Sequence, residues 1–202
     1  MSAEAARVAS GVPAGGRFAN QNRTDADIAL DALVTGGDSP WEQGTLHPSG
    51  GYDKVVTDEQ LGNIFYSLDG QLHRLDGPAA ILGDGTEEWY YEGALHRDGD
   101  QPAYISSTGE REWRQYGTLH RDGDQPAKTS PDGNIEYYMN GQLHRSGGKP
   151  ALARPDGHTE WRVGGELHRP VEYGPALIES DGTCVYFEHG EKMPQPKKVM
   201  RT

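Results

Sequence analysis

The chain has 202 residues, 34% of them hydrophobic, with 28 Gly, 13 Pro, a single Cys and a formal net charge of −12. That charge disfavours direct nucleic-acid binding, which needs a basic surface to displace phosphate counterions, and docking on an anionic membrane. One cysteine excludes an internal disulfide, and the first residues, MSAEAARVAS, lack the apolar core of a secretory signal. No apolar run approaches the roughly 18 residues needed to cross a bilayer, so a cytoplasmic protein is expected.

Residues 1–37 read as a flexible N-terminal arm, rich in Ala, Gly and Asn, with the turn-forming run Gly11-Val12-Pro13-Ala14-Gly15-Gly16. Within it, Thr24 followed by Asp27 resembles a capping box, and Ile28, Leu30, Ala32, Leu33 and Val34 follow. One short helix over about 25–34 is predicted, ended by Gly36-Gly37.

Residues 38–193 read as one repeat domain. Leu-His-Arg occurs five times, and its histidines, His73, His96, His120, His144 and His168, are 23, 24, 24 and 24 residues apart. A fixed period of this size is the signature of a repeat protein. Seven positions before each histidine stands an aromatic (Tyr66, Trp89, Trp113, Tyr137, Trp161), and three before it a glycine (Gly70, Gly93, Gly117, Gly141, Gly165). After it comes Pro-Ala, at Pro78-Ala79, Pro102-Ala103, Pro126-Ala127, Pro150-Ala151 and Pro175-Ala176. Trp41–Pro48 is a degenerate first copy and Gly182–Gly190 a last half copy, as end repeats require. The tail, 194–202, is basic through Lys197, Lys198 and Arg201.

Short polar and aromatic runs such as Thr86–Tyr91 lie between glycines, which predicts strands. Asp84-Gly85, Asp132-Gly133, Asp156-Gly157 and Asp181-Gly182 are hairpin turn signals, as is Asn140-Gly141. The expected fold class is all-β. Each repeat of about 24 residues supplies two antiparallel strands, and successive repeats extend one elongated sheet.

These spacings resemble MORN repeats. The shared pattern is an aromatic, a glycine, two residues, a histidine, then glycine, carried by Tyr90, Gly93, His96 and Gly99, and again by Gly117, His120 and Gly123. Arg97 and Arg121 depart from it, standing where the usual unit has glycine, and Pro-Ala replaces its later glycine pattern. The wording Glu-Trp-Tyr…Gly-x-Leu-His-Arg-Asp-Gly-Asp-Gln-Pro-Ala is closer to a variant in giant-virus repeat proteins. It is more loosely similar to bacterial antitoxins built from MORN-like units. The resemblance covers about 40–193 and implies a hairpin fold whose members serve many partners. Val12–Ala19 is similar to an element near the start of some actinobacterial and phage-associated proteins, which implies a phage or mobile-element setting.

The histidine row is a candidate metal site, but equivalent residues lie two strands, or about 9–10 Å, apart. Two imidazoles on one zinc must each come within about 2 Å of the ion. Each histidine is therefore expected to hydrogen-bond a backbone turn of its own repeat, with no metal and no cofactor. His73, His96, His120, His144 and His168, with Gly93, Gly117 and Gly141, are read as structural.

The arginines Arg74, Arg97, Arg121, Arg145 and Arg169 admit two readings. Asp98 and Asp122 follow two of them directly, and Asp76 and Glu172 lie near two others, which favours local ion pairs, while a carboxylate- or phosphate-recognising strip is the alternative. The aromatics Trp89, Trp113, Trp161, Tyr90 and Tyr138 are either hairpin packing or an exposed recognition face. Glu88, Glu112, Glu136 and Glu160 recur in phase, which argues for cross-strand pairing. Cys184 has no motif companion and reads as a small buried residue. No catalytic arrangement stands out, so no enzyme is expected.

The functional expectation is a non-enzymatic protein-binding module. Its partner-binding candidates are Trp89, Trp113, Trp161, Tyr90 and Tyr138, with Arg97, Arg121 and Arg145. One alternative is an immunity or antitoxin protein. Another is an acidic DNA mimic that inhibits a nuclease or defence system. Homo-oligomerisation through open sheet edges is a further expectation.

Overall fold

A computed structural model of the chain describes residues 50–196. The helix expected over 25–34, the copy at Trp41–Pro48 and the tail beyond Pro196 lie outside the described residues. Those described are almost entirely β, with one short 3-10 turn at Val171–Tyr173.

The architecture is one antiparallel sheet of 14 strands, assembled in chain order from consecutive hairpins. It begins with Lys54–Asp58 against Asn63–Leu68, continues through pairs such as Ala80–Ile81 with Glu87–Glu88, and ends with Cys184–Glu188 against Glu191–Met193. Beside it runs a second row of four two-stranded hairpins, of which Tyr90–Tyr91 with Ala94–Leu95 is the first. Each repeat therefore contributes to both rows. The chain crosses between them at the aromatic of the repeat: Trp89 N–H still donates to Ala103 O at 2.8 Å, and His96 N–H donates back to Trp89 O at 2.9 Å.

Three turns per repeat make this possible. At the tip of each small hairpin both central residues have positive φ, as in Glu92 (48°) with Gly93 (74°) and Asn140 (51°) with Gly141 (78°). That is the twist-matched two-residue turn of a tight hairpin, and it places glycine where a Cβ is costly. The glycine N–H then donates to the preceding hairpin: Gly93 to Leu72 O at 2.9 Å, Gly117 to Leu95 O at 2.8 Å and Gly141 to Leu119 O at 2.9 Å. The second turn is Asp-Gly, where Asp84 Oδ1 accepts from Thr86 N–H at 2.8 Å. The third follows the arginine, with Gly99-Asp100 and Gly123-Asp124 again both at positive φ.

The Pro-Ala alanines fill the space between the two rows. Ala79, Ala103, Ala127, Ala151 and Ala176 are all 0% exposed. Larger buried side chains gather at the N-terminal end, where Val56, Phe65, Leu72, Ala79, Ala80 and Tyr90 form one apolar cluster flanked by Leu82 and Leu95.

Candidate functional site

The turns that follow each histidine line one edge of the sheet, and they assemble the repeat's charged side chains there. Each arginine lies over the aromatic eight positions before it. The guanidinium carbon is 4.0 Å from the ring centre for Arg74 on Tyr66, 3.8 Å for Arg97 on Trp89 and 3.9 Å for Arg121 on Trp113. It is 3.6 Å for Arg145 on Tyr137 and 4.1 Å for Arg169 on Trp161. These are cation–π contacts at stacking distance. One Nη of each arginine also donates to the carbonyl of the repeat's proline, at 3.1 Å for Arg121 to Pro126 and 3.2 Å for Arg169 to Pro175.

In Arg121 and Arg145 the remaining donors of the fork meet a carboxylate of the preceding repeat, while Arg74 pairs with Asp76 of its own turn at 2.6 Å. Arg121 Nε and Nη2 donate to Asp100 at 2.6 and 3.0 Å, and Arg145 donates to Asp124 at 2.6 and 3.3 Å. Lys149 adds a third donor to Asp124 at 2.6 Å. The Arg121 hydrogen bond holds the Asp100 carboxyl below the usual carboxylate range. Arg145 and Lys149 together hold Asp124 down to about 2. The expectation of ion pairs was correct in kind, but the adjacent Asp98 and Asp122 are not the partners. They accept instead from His96 Nε2 and His120 Nε2, at 3.2 and 3.1 Å.

Nε2 of His96, His120 and His144 thus stays within its own repeat, at Asp98, Asp122 and Ser146, but the backbone turn that Nδ1 bonds belongs to the next repeat, not to the histidine's own. Nδ1 of His73 accepts from Glu92 N–H at 3.0 Å, His120 from Asn140 at 3.1 Å, His144 from Gly164 at 3.1 Å and His168 from His189 at 3.1 Å. The donor is always the first positive-φ residue of the next hairpin tip. A backbone N–H can only donate, so Nδ1 is bare and the ring proton sits on Nε2. His96 is the exception: its Nδ1 has no partner among the described residues, and its ring stacks on Tyr116 at 4.2 Å and 9°.

The other predicted residues fall in several places. Tyr90 is in the apolar cluster, while Trp89, Trp113 and Trp161 are half-buried with arginine on one face. Two indole N–H groups donate to the turn of the preceding repeat, Trp113 to Asp100 O at 3.2 Å and Trp161 to Gly148 O at 2.9 Å. Tyr138 donates to Glu136 at 2.8 Å, and burial followed by that carboxylate pushes its phenol up to about 12. Glu112 takes Lys128 at 2.8 Å across strands and Arg114 at 2.7 Å along its own. Burial raises its pKa, but these cations more than offset that and leave it low. Glu160 pairs with Arg162 and with His158, at 2.8 Å for the latter.

Cys184, expected to be buried, is exposed, because it stands at the repeat position that Arg111 and Ile135 occupy, both exposed in the middle of the array. Sequence reasoning missed the stacking of the arginine row on the aromatic row, although their constant offset of eight residues was its signal. It also missed His158, which stands outside the repeated triplet.

Between the turns of two successive repeats lies an open groove of about 240 Å³, lined by Arg97, Gln101, Trp113, Gln115 and Arg121 among others. Among the described residues no group of three His, Cys, Asp or Glu is placed to hold a metal ion, and no helix is long and apolar enough to cross a membrane. Set against protein-family models and curated proteins, the sequence matches none.

Proposed function

We propose that the chain is a non-enzymatic, MORN-like recognition scaffold that binds a protein partner along the edge carrying the arginine, tryptophan and histidine rows. One observation carries the reading. The groove between successive turns presents Trp113 and Arg121 beside Gln101 and Gln115. Tryptophan and arginine inside a polar rim are the composition that protein interfaces favour. The charged groups of that edge already engage one another, so they stiffen the surface, and a rigid binding surface costs less entropy to complex.

Mimicry of DNA is the weaker reading on spacing. Asp84, Asp132, Asp156 and Asp181 recur once per repeat or less, about 9–10 Å apart at closest. Duplex DNA carries one charge per about 1.7 Å of axis. Asp84, Asp156 and Asp181 moreover each accept from an amide of their own turn.

A photo-crosslinking residue placed at Gln115, in the groove, and at Asp132, an exposed Asp-Gly turn outside it, tests the proposal in the native host. The expected result is one light-dependent adduct of defined mass from Gln115 and none from Asp132. Adducts from both positions, or from Asp132 alone, count against the groove. So does the absence of any adduct at Gln115.

A further inference from the structure

The repeats build the same arginine fork five times, and they do not fill it five times. We infer that Arg169 is an unsatisfied carboxylate-binding fork, matched in chemistry to an aspartate or glutamate side chain of a protein partner. The source of that carboxylate rests on the protein-binding reading above; the fork itself does not.

The comparison is internal to the molecule. Arg121 and Arg145 each receive a two-pronged carboxylate from the residue 21 positions earlier, Asp100 and Asp124. The position 21 before Arg169 is Gly148, which has no side chain to offer. Its backbone is otherwise equivalent: φ is 69° at Gly148, against 56° at Asp100 and 55° at Asp124. Gly148 O accepts from the Trp161 indole as Asp100 O does from Trp113. On the side of the preceding turn the last full repeat therefore lacks the carboxylate, while the turn after Arg169 differs by carrying the 3-10 segment Val171–Tyr173.

Arg169 is otherwise held like its counterparts. It lies 4.1 Å over Trp161, and its Nη1 donates to Pro175 O at 3.2 Å. Its Nε is buried and has no hydrogen-bond partner among the described residues. Burial without a paired anion lowers its pKa. A buried donor of a charged group left unpaired is costly, and a fork already fixed by stacking loses little entropy on pairing. The chemistry that satisfies it is the one seen twice in the same molecule, a planar carboxylate. Arg97 is a partial parallel. Asp76, 21 positions before it, pairs with Arg74 at 2.6 Å instead, but Glu87 lies close enough to compensate Arg97 through space. Arg169 is the less compensated of the two.

The test uses the full chain, with the arginine Nε–H resonances followed by NMR while N-acetyl-aspartate N-methylamide is added. Matched sodium chloride and inorganic phosphate serve as controls. The Arg169 Nε–H is expected to show a saturable shift with the aspartate probe, while Arg121 and Arg145 stay in place. Gly148→Asp should move the Arg169 resonance towards that of Arg145 without any probe, and should abolish the response. Gly148→Asn, which tolerates the same positive φ but carries no charge, should retain it. An Arg169 resonance that ignores the probe, or follows chloride equally, overturns the inference. Saturation by phosphate at lower concentration than by the carboxylate also overturns it, as does a folded Gly148→Asp variant that still responds. None of these outcomes bears on the groove between Gln101 and Gln115, so the two proposals fail separately.

Discussion

The two ends of the described sheet are held together by different forces. Up to Tyr90 the buried set includes Tyr52, Val56, Phe65, Leu72 and Tyr90 itself, all large and apolar. Beyond it the buried hydrophobic residues are Ala103, Ala127, Ala151 and Ala176, with Leu152 as the one large member. The later repeats replace apolar bulk with contacts that reach from one repeat to the next: arginine to the preceding aspartate, indole to the preceding turn, histidine to the following hairpin tip. A sheet one layer thick buries little area per repeat, so neighbour-to-neighbour polar bonds must take a share that a globular core would carry. The N-terminal end thus acts as an apolar anchor from which a polar-latched array extends.

The largest effect should come from breaking the anchor. Phe65 is 3% exposed at the centre of the apolar cluster. Phe65→Ala is expected to cost about 3–5 kcal/mol, the usual range for a buried ring left as a cavity. In a repeat array that loss should be local first. Amide exchange should accelerate most over 50–95 and less over 127–178. Equal acceleration along the whole chain would mean that the two ends form a single cooperative unit, and the contrast drawn above would fall.

The periodic elements were legible because they rest on backbone rules. A tight two-residue hairpin needs positive φ twice, so Xaa-Gly pairs at constant spacing mark every small hairpin, and the period follows from them. The pairing of side chains was not legible. Asp122 adjoins Arg121 in sequence, yet Asp100 is the residue that meets its guanidinium, because the turn at Gly99-Asp100 curls back over the next repeat's arginine. Likewise, the sequence placed equivalent histidines about 9–10 Å apart. It did not reveal that an imidazole reaches across that gap to a hairpin tip. Adjacency in sequence selects neighbours along a strand, whereas these contacts are set by stacking between repeats. The exposure of Cys184 was open to reading by repeat position, since Arg111 stands at the same place two residues after its turn glycine and is likewise exposed.

The histidine latch offers a sharper cut at the polar array. His120→Phe keeps the ring's bulk but removes the acceptor for Asn140 N–H. A cost of about 0.5–1.5 kcal/mol is expected, the net value of an ordinary hydrogen bond whose donor water can reach, read as a fall in the urea midpoint. His96→Phe is the matched control. Its Nδ1 bonds nothing among the described residues, and phenylalanine preserves the stack on Tyr116. It should therefore cost clearly less than His120→Phe. Equal losses would show that ring packing, not the inter-repeat bond, is what the row contributes.

The smallest effect is electrostatic and should appear on acidification. Asp124 is held down to about 2 by Arg145 and Lys149, and Asp100 is lowered by Arg121. A carboxyl depressed in the folded state contributes stability that is fully present above its unfolded pKa, about 3.9. That contribution disappears as pH falls from there through the folded value. The carboxylates in question bridge repeats, whereas the apolar cluster around Phe65 has no such pair within it. Stability of the later repeats should thus decline first as pH drops below about 4. Asp124→Asn should flatten that decline while leaving the exchange protection of 50–95 unchanged. Solvent screens this exposed pair, so the shift should be the least of the three. Its location still discriminates: an acid-labile N-terminal end beside an acid-resistant array would invert the division of forces between them.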